Sequence, residues 1–347
     1  MSITRIGLDT AKSVFQLHGI DEAGKVHIKR KLQRREMILY FEKLEPCTIY
    51  LEACGASHYW ARILIGLGHD AKLIAPEAAR PFVKKGKKND PADAAALCEA
   101  GGRPGIKFVP VKTEEQQAVL AMHSVRALLV KQQTMLSNAM RGVAAEFGLI
   151  VPKGIDKLVE LMAHVDADEN VPKQARRAVK ELFDQRESVA ERIETLEAEI
   201  IAHARQNEAA RRLATIPGIG PIAASLIAGS VADFGVFKRA RDFAAWLGLV
   251  PRQHSTAGKT RLGKITKAGN REIRTLLVLG ATSMTFRAPQ WKSATGVWTD
   301  RLLQRKPFRL VTVALANKIA RIAWALMTRN EVYQANGRVV TAAEAVA

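Results

Sequence analysis

The stretch of this chain whose residue types could do chemistry is KKGKKNDPADAAA, at positions 84–96. Asp90 and Asp93 are three residues apart, which places them on one face of a helix. Two carboxylates with open sides suit Mg²⁺, which keeps waters and takes phosphate oxygens. Pro91 also fits the first turn of a helix that Asp90 caps and Asp93 supports as a first-turn acid, which is a purely structural interpretation. The preceding side chains share a positive charge that could hold a polyanion against the metal: Lys84, Lys85, Lys87 and Lys88.

Two further acids end predicted strands, which decides between these interpretations. A buried strand over Ile3–Asp9 ends on an aspartate, and a short apolar strand over Thr48–Glu52 ends on a glutamate. The hydrophobic patterns predict three meandering strands, then helix, strand, helix, strand and helix, which is the layout of the ribonuclease H fold. In that fold, acids at the ends of the first and fourth strands meet acids on a late helix. We therefore expect Asp9, Glu52, Asp90 and Asp93 to converge on one site.

Composition indicates a globular nucleic-acid-binding protein. The 347 residues, 48% hydrophobic and 25% charged, suggest two or three domains. Lysine and arginine number 53 against 34 acids, a net charge of +19 that favours a polyanionic partner, most often nucleic acid. Residues 252–329 hold 16 basic and two acidic side chains, so this part of the chain is predicted to form the main positively charged surface for nucleic acid.

The sequence gives no sign of a membrane span or an export signal. The most apolar stretch, Leu310–Met327, carries Lys318 and Arg321, and no uninterrupted apolar run reaches the ~18 residues of a span. The first ten residues, MSITRIGLDT, do not form a signal peptide. Three cysteines without zinc spacing are expected to be buried thiols in a reducing cytoplasm: Cys47, Cys54 and Cys98.

The middle of the chain predicts long helices, over Glu114 to about Phe147 and over Lys153–Asn207, with a break at Asp166–Pro172. Apolar residues in the second stretch repeat at coiled-coil spacing for barely two heptads: Val189, Ile193, Leu196 and Ile200. Two interpretations fit so short a repeat. It forms either a dimer seam or a helical hairpin packed on its own chain.

A glycine turn between apolar helical stretches follows, in the sequence IPGIG at 216–220. It resembles a helix-hairpin-helix element, in which Gly218 and Gly220 would offer backbone N–H groups to a phosphate. An ordinary tight turn between helices is the alternative.

Ser255 lies among small and cationic residues, in the sequence PRQHSTAGK at 251–259. A serine hydroxyl can attack a phosphodiester while cations hold the non-bridging oxygens, although a serine in such a loop is usually structural. The cations predicted to contact nucleic acid here are Arg252, Lys259, Arg261 and Lys264. Trp291 and Trp298, interleaved with cations, either stack bases or pack in the core.

Five motifs together resemble the transposases of the insertion sequence 110 class, in particular its 1111-type subgroup: GLDTAK, YLEACG, KNDPADA, IPGIG and GLVPRQHSTAGK. The resemblance covers roughly residues 3–330. It implies an α/β ribonuclease H-like domain of the RuvC type at 1–110, a helical coiled-coil region at 111–207, a mainly α-helical transposase domain at 208–333 and a tail at 334–347. It also implies a metal-binding tetrad on Asp9, Glu52, Asp90 and Asp93, and an essential serine at Ser255.

The resemblance further implies partners and a reaction. Members act as dimers or tetramers, in which one subunit's tetrad meets another's serine, and they use an element-encoded non-coding RNA that pairs with target and donor DNA. We hypothesise DNA strand exchange through a covalent phosphoserine, with Mg²⁺ held by the tetrad. Two rivals are a RuvC-like nuclease in which Ser255 is structural and a non-catalytic nucleic-acid-packaging protein.

Overall fold

The computed structural model describes residues 2–83, 89–154, 156–256, 258–259, 261–334 and 340–341. The chain divides into two compact units between Gln117 and Ala118. The four lysines predicted to bind nucleic acid at 84–88 lie outside the described residues.

The first unit is built on a six-stranded mixed sheet. Its strands are β1 (Arg5–Thr10), β2 (Val14–Ile20), β3 (Val26–Gln33), β4 (Thr48–Glu52), β5 (Asp70–Ile74) and β6 (Phe108–Val109). They are ordered β3-β2-β1-β4-β5-β6; β1, β2 and β3 pair antiparallel, whereas β4 and β5 run parallel to β1. The order of the first five strands and their intervening helices along the chain is the one that the sequence predicts for a ribonuclease H-like fold, and β6 is an additional strand that it does not predict.

Helices cover both faces of this sheet. They are α1 (Met37–Glu42), α2 (Ser57–Gly66), the single turn α3 (Pro76–Ala79) and α4 (Asp90–Gly101). Alternate strand residues such as Phe15 and Leu51 pack with α1 and α2 on one face, and Tyr50 packs with α4 on the other. This alternation follows from the two-residue period of a strand.

The N-terminus of α4 corrects one prediction. Asn89, not Asp90, caps the helix: its backbone is extended and its side-chain oxygen accepts the N–H of Ala92 at 2.9 Å. Asp90 is the first helical residue, followed by Pro91. The Asp90 carboxylate is therefore not used as the cap and is available for another role.

The second unit is mostly helical. Its helices are α5 (Glu114–Ala145, which crosses the division between the units), α6 (Asp156–Ala167), α7 (Lys173–Gln206), α8 (Glu208–Ala214), α9 (Pro221–Ser230), α10 (Ala240–Trp246), α11 (Arg271–Phe286), α12 (Ala294–Leu303) and α13 (Phe308–Arg329). Its strands form two short pairs, β7 (Pro251–Gln253) with β8 (Leu262–Ile265) and β9 (Glu331–Val332) with β10 (Val340–Thr341). The break between α6 and α7 falls where the sequence predicts it.

The short apolar repeat on α7 is largely covered by the chain itself. Val189, Ile193 and Ile200 are buried, and Leu196 is half-buried. This favours a helix packed on its own chain over a seam left free for a second subunit.

The core of the second unit lies where α9, α11 and α13 meet. Within the described residues, α13 alone is long and apolar enough to cross a membrane by length and composition. However, Val311, Leu315, Ile319 and Ala323 on this helix are fully or almost fully buried. Its apolar face therefore serves the core of the unit.

The thiols are distributed differently from the prediction. All three cysteines are free, and Cys47 and Cys98 are buried, but Cys54 is exposed. Cys54 lies in the loop that follows β4, and its thiol is near the hydroxyl of Thr10, at 3.8 Å. The expectation of a third buried thiol is wrong because this residue lies just past the end of a strand.

Candidate active site

Two of the predicted acids are brought together by the central strands of the first unit. β1 and β4 are parallel neighbours, and Leu8 is opposite Leu51 in their register. Asp9 and Glu52 are the next residues on these two strands, both half-buried. The carboxyl ends of adjacent parallel strands thus carry one acid each.

The other two acids are carried by α4, which packs unusually close to β1. A Cβ atom at Gly7 would lie 1.9 Å from the carbonyl oxygen of Ala94 and 2.6 Å from the amide nitrogen of Cys98. Only glycine permits this approach of strand and helix backbone. The close packing sets the N-terminal turn of α4, with Asp90 and Asp93, beside the end of β1.

The other three carboxylates lie close enough to act on the charge of Asp9. The pKa of Asp9 is raised to about 6, first by burial and then by the negative charges of Asp93, Asp90 and Glu52. Like charges and desolvation both disfavour the ionised form. The structure therefore brings the four sequence-predicted acids together around Asp9.

This cluster fits a divalent cation. Asp93 Oδ1 is buried without a hydrogen-bond partner, which is costly unless a cation or donor satisfies it. Carboxylate oxygens are the ligands that Mg²⁺ prefers. Within the described residues, no three such side chains already form a coordination shell.

In the second unit, Ser255 lies beyond the end of β7, toward the tip of the β7–β8 hairpin. The hairpin continues past its strands, because the His254 N–H donates to the Arg261 carbonyl at 2.8 Å and Thr256 forms a bridge with Lys259. Ser255 is exposed, and its Oγ accepts a hydrogen bond from Gln253 Nε2 at 2.9 Å. Residues two apart along a strand share a face, so the spacing of Gln253 from Ser255 could have identified it as a partner of the serine. Its residue type could not.

The base of this hairpin is held by close backbone contacts. Gly248 and Gly269 have φ values of 68° and 66°, and a Cβ at Gly269 would lie 1.8 Å from the Trp246 carbonyl oxygen. The buried guanidinium of Arg274 donates to the carbonyls of Leu247 and Ala268, at 2.9 and 2.7 Å. The exposed serine is therefore presented by a firmly anchored turn.

The cations predicted around Ser255 are all exposed. Arg252 donates through Nη2 to the Thr266 carbonyl at 3.3 Å, so its guanidinium is partly used within the hairpin. Lys259 and Arg261 lie toward the tip, and Lys264 lies on β8.

Lys264 also lines a large groove along α13, with a volume of about 1290 Å³. Within the described residues its lining includes no acid. Trp298 lies in this lining, and the ammonium of Lys318 is 4.5 Å from the centroid of its ring. Both tryptophans singled out in the sequence pack partly on the core, but Trp298 also faces this groove. The other cations of the lining are Lys267, Arg309, Arg321 and Arg329.

The two glycines of the predicted phosphate-binding turn differ. A Cβ at Gly218 would lie 2.4 Å from Met284 Sδ, and the Gly218 carbonyl closely approaches Gly280, so this glycine serves helix packing. Gly220 is exposed at the N-terminus of α9. A cavity of about 240 Å³ beside this turn is lined by Arg205 and Arg211, which are suitable partners for a phosphate.

Two family models match the chain. The model described as "Transposase" with the DEDD designation covers residues 6–147, and the model described as "Transposase IS116/IS110/IS902 family" covers residues 210–295. The first match contains all four acids of the cluster and the second contains Ser255 and the hairpin.

Similar proteins match along almost their whole length. A putative transposase, y4pF/y4sB, of Sinorhizobium fredii is 49% identical over 98% of this chain and 88% of its own. A probable family 20 transposase of Pseudomonas aeruginosa is 47% identical, over 96% of this chain and 99% of its own. The transposase for insertion sequence element IS1111A of Coxiella burnetii is 39% identical, over 95% of this chain and 91% of its own.

Proposed function

Because the chain belongs to the insertion sequence 110/1111 family of transposases, enzymes that cut and rejoin DNA, we propose that its carboxylate cluster and Ser255 perform one strand-exchange reaction. The observation that carries the proposal is the convergence of three other carboxylates on Asp9, whose pKa is raised to about 6 by burial first and then by these three charges. Membership in this family rules out the packaging-protein interpretation of the basic charge.

In this proposal, Asp9, Glu52, Asp90 and Asp93 hold Mg²⁺. When bound, the ion polarises the scissile phosphate and offsets the charge that builds up on its oxygens. The carboxylates hold it at the ends of β1 and β4, on rigid elements that fix its position. The unpartnered Asp93 Oδ1 supports this assignment, since the oxygen has no other partner in the described structure.

Ser255 is the nucleophile. Its Oγ forms a bond to phosphorus as the hydroxyl proton leaves, the bond from phosphorus to the 3′ oxygen breaks, and that oxygen takes a proton to become a free 3′ hydroxyl. A 3′ hydroxyl of the partner strand then attacks the phosphoserine, and Oγ regains a proton. Each step exchanges one phosphodiester for another, so no ATP is required.

The cationic surfaces of the second unit bind nucleic-acid backbones. Arg252, Lys259 and Arg261 hold the phosphate that Ser255 attacks, and the groove along α13 holds a neighbouring strand, with Trp298 available for stacking. We assign part of this surface to an element-encoded guide RNA, whose pairing selects the DNA. The supporting features are the net charge of +19 and the acid-free lining of the groove.

The enzyme works as a homo-oligomer, and α5 supplies the seam. An exposed stripe along α5 alternates in steps of four and three residues, which is the heptad pattern: Ala121, Val125, Leu128, Gln132, Met135 and Ala139. Val125, Leu128 and Met135 are each at least half exposed, at 50%, 54% and 59%. A second copy of α5 is the self-complementary partner for such a stripe. The proposed seam is therefore on α5 and not on α7, where a dimer seam was one of two interpretations of the sequence.

Two variants test the chemistry on labelled DNA from the element's own ends, analysed on denaturing gels. Asp93→Asn is expected to lower cleavage by more than about a hundredfold, beyond the usual cost of losing an outer-shell partner. Ser255→Ala is expected to abolish both cleavage and the covalent protein–DNA product, whereas Thr256→Ala on the same hairpin retains both. Full-rate cleavage by Ser255→Ala would instead support a RuvC-like nuclease that acts by hydrolysis.

Two further measurements test the partners. Sequencing of RNA that co-purifies with the chain is expected to return one transcript of the encoding element; a random sample of cellular RNA would contradict the guide assignment. Met135→Glu is expected to shift the chain to monomer in sedimentation, whereas the adjacent exposed Thr134→Glu does not. Equal behaviour of the two variants would exclude the α5 seam.

A further inference from the structure

A second basic site lies in the first unit, beside the carboxylates but separate from them. It is a cavity of about 430 Å³ between the outer strands β2 and β3 and the first turns of α4. On the strand side it is lined by Gln16, His18, Lys29 and Lys31, with Leu17 and Arg30 also bordering it, and on the helix side by Pro91, Ala92 and Ala95.

The register of the sheet places these polar residues in line with Asp9. Asp9 pairs with Gln16, and Gln16 pairs with Lys31, so the three form one row across the sheet. Adjacent strands are about 4.8 Å apart, which sets Lys31 about 10 Å from Asp9 along that row. The next row is formed by Gly7, His18 and Lys29.

These rows lie on the face that carries α4. Gly7 meets α4 directly, and its strand neighbours in the same row point to the same side. The intervening residues face the other way: Leu17 is in the core under α1 and α2, and the Arg30 guanidinium lies over the Tyr40 ring, 5.1 Å from its centroid. The cationic side chains of Lys29 and Lys31 therefore share a face with the acid cluster.

The surface so formed is suited to a phosphate backbone. Lys29 and Lys31 are exposed, no ion pair to either is found in the described residues, and the described lining contains no acid. Burial and the neighbouring Lys29 lower the pKa of His18, which leaves a neutral imidazole able to donate one hydrogen bond. Gln16 adds an amide donor, and the small side chains of Ala92 and Ala95 leave room for a strand.

We propose that Gln16, His18, Lys29 and Lys31 form a phosphate-binding subsite for the DNA strand being cut, one or two nucleotides from the scissile phosphate. This inference rests on the proposed function, since it takes the acid cluster as the place of cutting. The subsite would hold the flanking backbone in line with the carboxylates. It would read no bases, because its groups are those that contact phosphates.

A matched pair of double variants tests the subsite. Lys29→Gln with Lys31→Gln removes two charges from this face, and Arg35→Gln with Lys43→Gln removes two exposed charges from the neighbourhood of α1. The probe is a fluorescent single strand carrying the mapped cleavage site, bound across a range of salt. The first pair is expected to lower the slope of log K against log salt by about 0.7 for each phosphate that is no longer neutralised, and the second pair to leave it near wild type.

A neutral methylphosphonate, placed one or two nucleotides from the scissile phosphate, locates the subsite on the strand. It is expected to weaken binding and slow cleavage by wild type, but to have no further effect on the Lys29→Gln and Lys31→Gln double variant, because that variant has no cations left to pair with the phosphate. Additive losses from the DNA and protein changes would overturn the proposal, as would a double variant that behaves like its control. The proposal would also be overturned if the Lys29→Gln and Lys31→Gln double variant bound RNA more weakly but bound the DNA strand as wild type does.

The outcomes separate this proposal from the one on which it rests. If Asp93→Asn still cuts at full rate, the carboxylates are not the catalytic centre and the proposed function fails. If Asp93→Asn is inactive but the two double variants are indistinguishable in salt slope and cleavage, only the subsite fails. Equal thermal unfolding of both double variants excludes a general loss of folding as the cause.

Discussion

The two candidate catalytic parts of this chain are built in opposite ways. The carboxylates are half-buried or lie at a helix start, on strands and a helix that pack backbone against backbone at Gly7. Ser255 is exposed near the tip of a short hairpin, and only the base of that hairpin is tightly held. The carboxylates are held in place by the fold of their unit, whereas Ser255 lies in an exposed turn.

The difference fits the chemistry that we propose for each site. Several ligands must converge on one ion within a few tenths of an ångström, which requires rigid elements. A nucleophile must reach a phosphate that arrives with its DNA, which requires exposure. We therefore expect substitutions near the carboxylates to act through folding and metal binding, and substitutions in the hairpin to act on the reaction alone.

The largest effect is expected from Gly7→Ala. The new methyl group would overlap the Ala94 carbonyl, so α4 must move away from β1. Overpacking of this kind costs about 3 kcal/mol of unfolding free energy, measured by urea denaturation. Gly66→Ala is the control, because a Cβ there meets nothing within 4 Å. Equal stability of both variants would show that the close helix–strand contact is not required.

A smaller effect, on activity alone, is expected from Gln253→Ala. Loss of one hydrogen bond to Ser255 Oγ removes on the order of 1 kcal/mol, which is a five- to tenfold slower appearance of the covalent protein–DNA product. Thermal unfolding should be unchanged, because both residues are exposed. An unchanged rate would mean that the hydrogen bond does not orient the nucleophile.

The smallest effect concerns the pH dependence of stability. The native pKa of Asp9, about 6, lies above its ordinary value of 3.8, so the folded chain binds this proton more tightly and loses stability as pH rises between about 4 and 6. In a chelating buffer, Asp9→Asn should be more stable than wild type above pH 6, with no difference below pH 4. The expected gain is about 1 kcal/mol, because solvent screens this half-buried carboxyl and reduces the full value of about 3 kcal/mol. Glu45→Gln, which removes an exposed carboxyl outside the cluster, is the control. Parallel curves for Asp9→Asn and wild type would indicate that neither burial nor the neighbouring carboxylates raise the pKa of Asp9.

The sequence predicted the first site better than the second. Apolar strands are predicted to end at Asp9 and Glu52, and in the structure β1 ends one residue later, at Thr10, while β4 ends at Glu52. The order of elements implies which strands are neighbours, so the convergence of the acids follows from the sequence pattern. The α4 cap was assigned to Asp90 because aspartate and asparagine both favour that position, and only the backbone angles distinguish them.

The remaining features depend on which helix face is left uncovered. The heptad repeat on α7 is as regular as that on α5, but the chain covers the first and leaves the second exposed. Periodicity identifies an apolar stripe and not the surface that it meets. Gln253, at the end of β7, was identifiable only from its spacing to Ser255, because a glutamine in an exposed strand carries no signal of its own.

The most direct test of the central claim is calorimetric titration of the whole chain with Mg²⁺, in buffers of different ionisation heat. Ligating carboxylates must lose their protons, so binding at pH 6 should release about half a proton, falling to none at pH 8. Asp93→Asn should weaken binding and reduce the release. No binding heat, or a proton release that Asp93→Asn leaves unchanged, would contradict a metal site shared by these carboxylates.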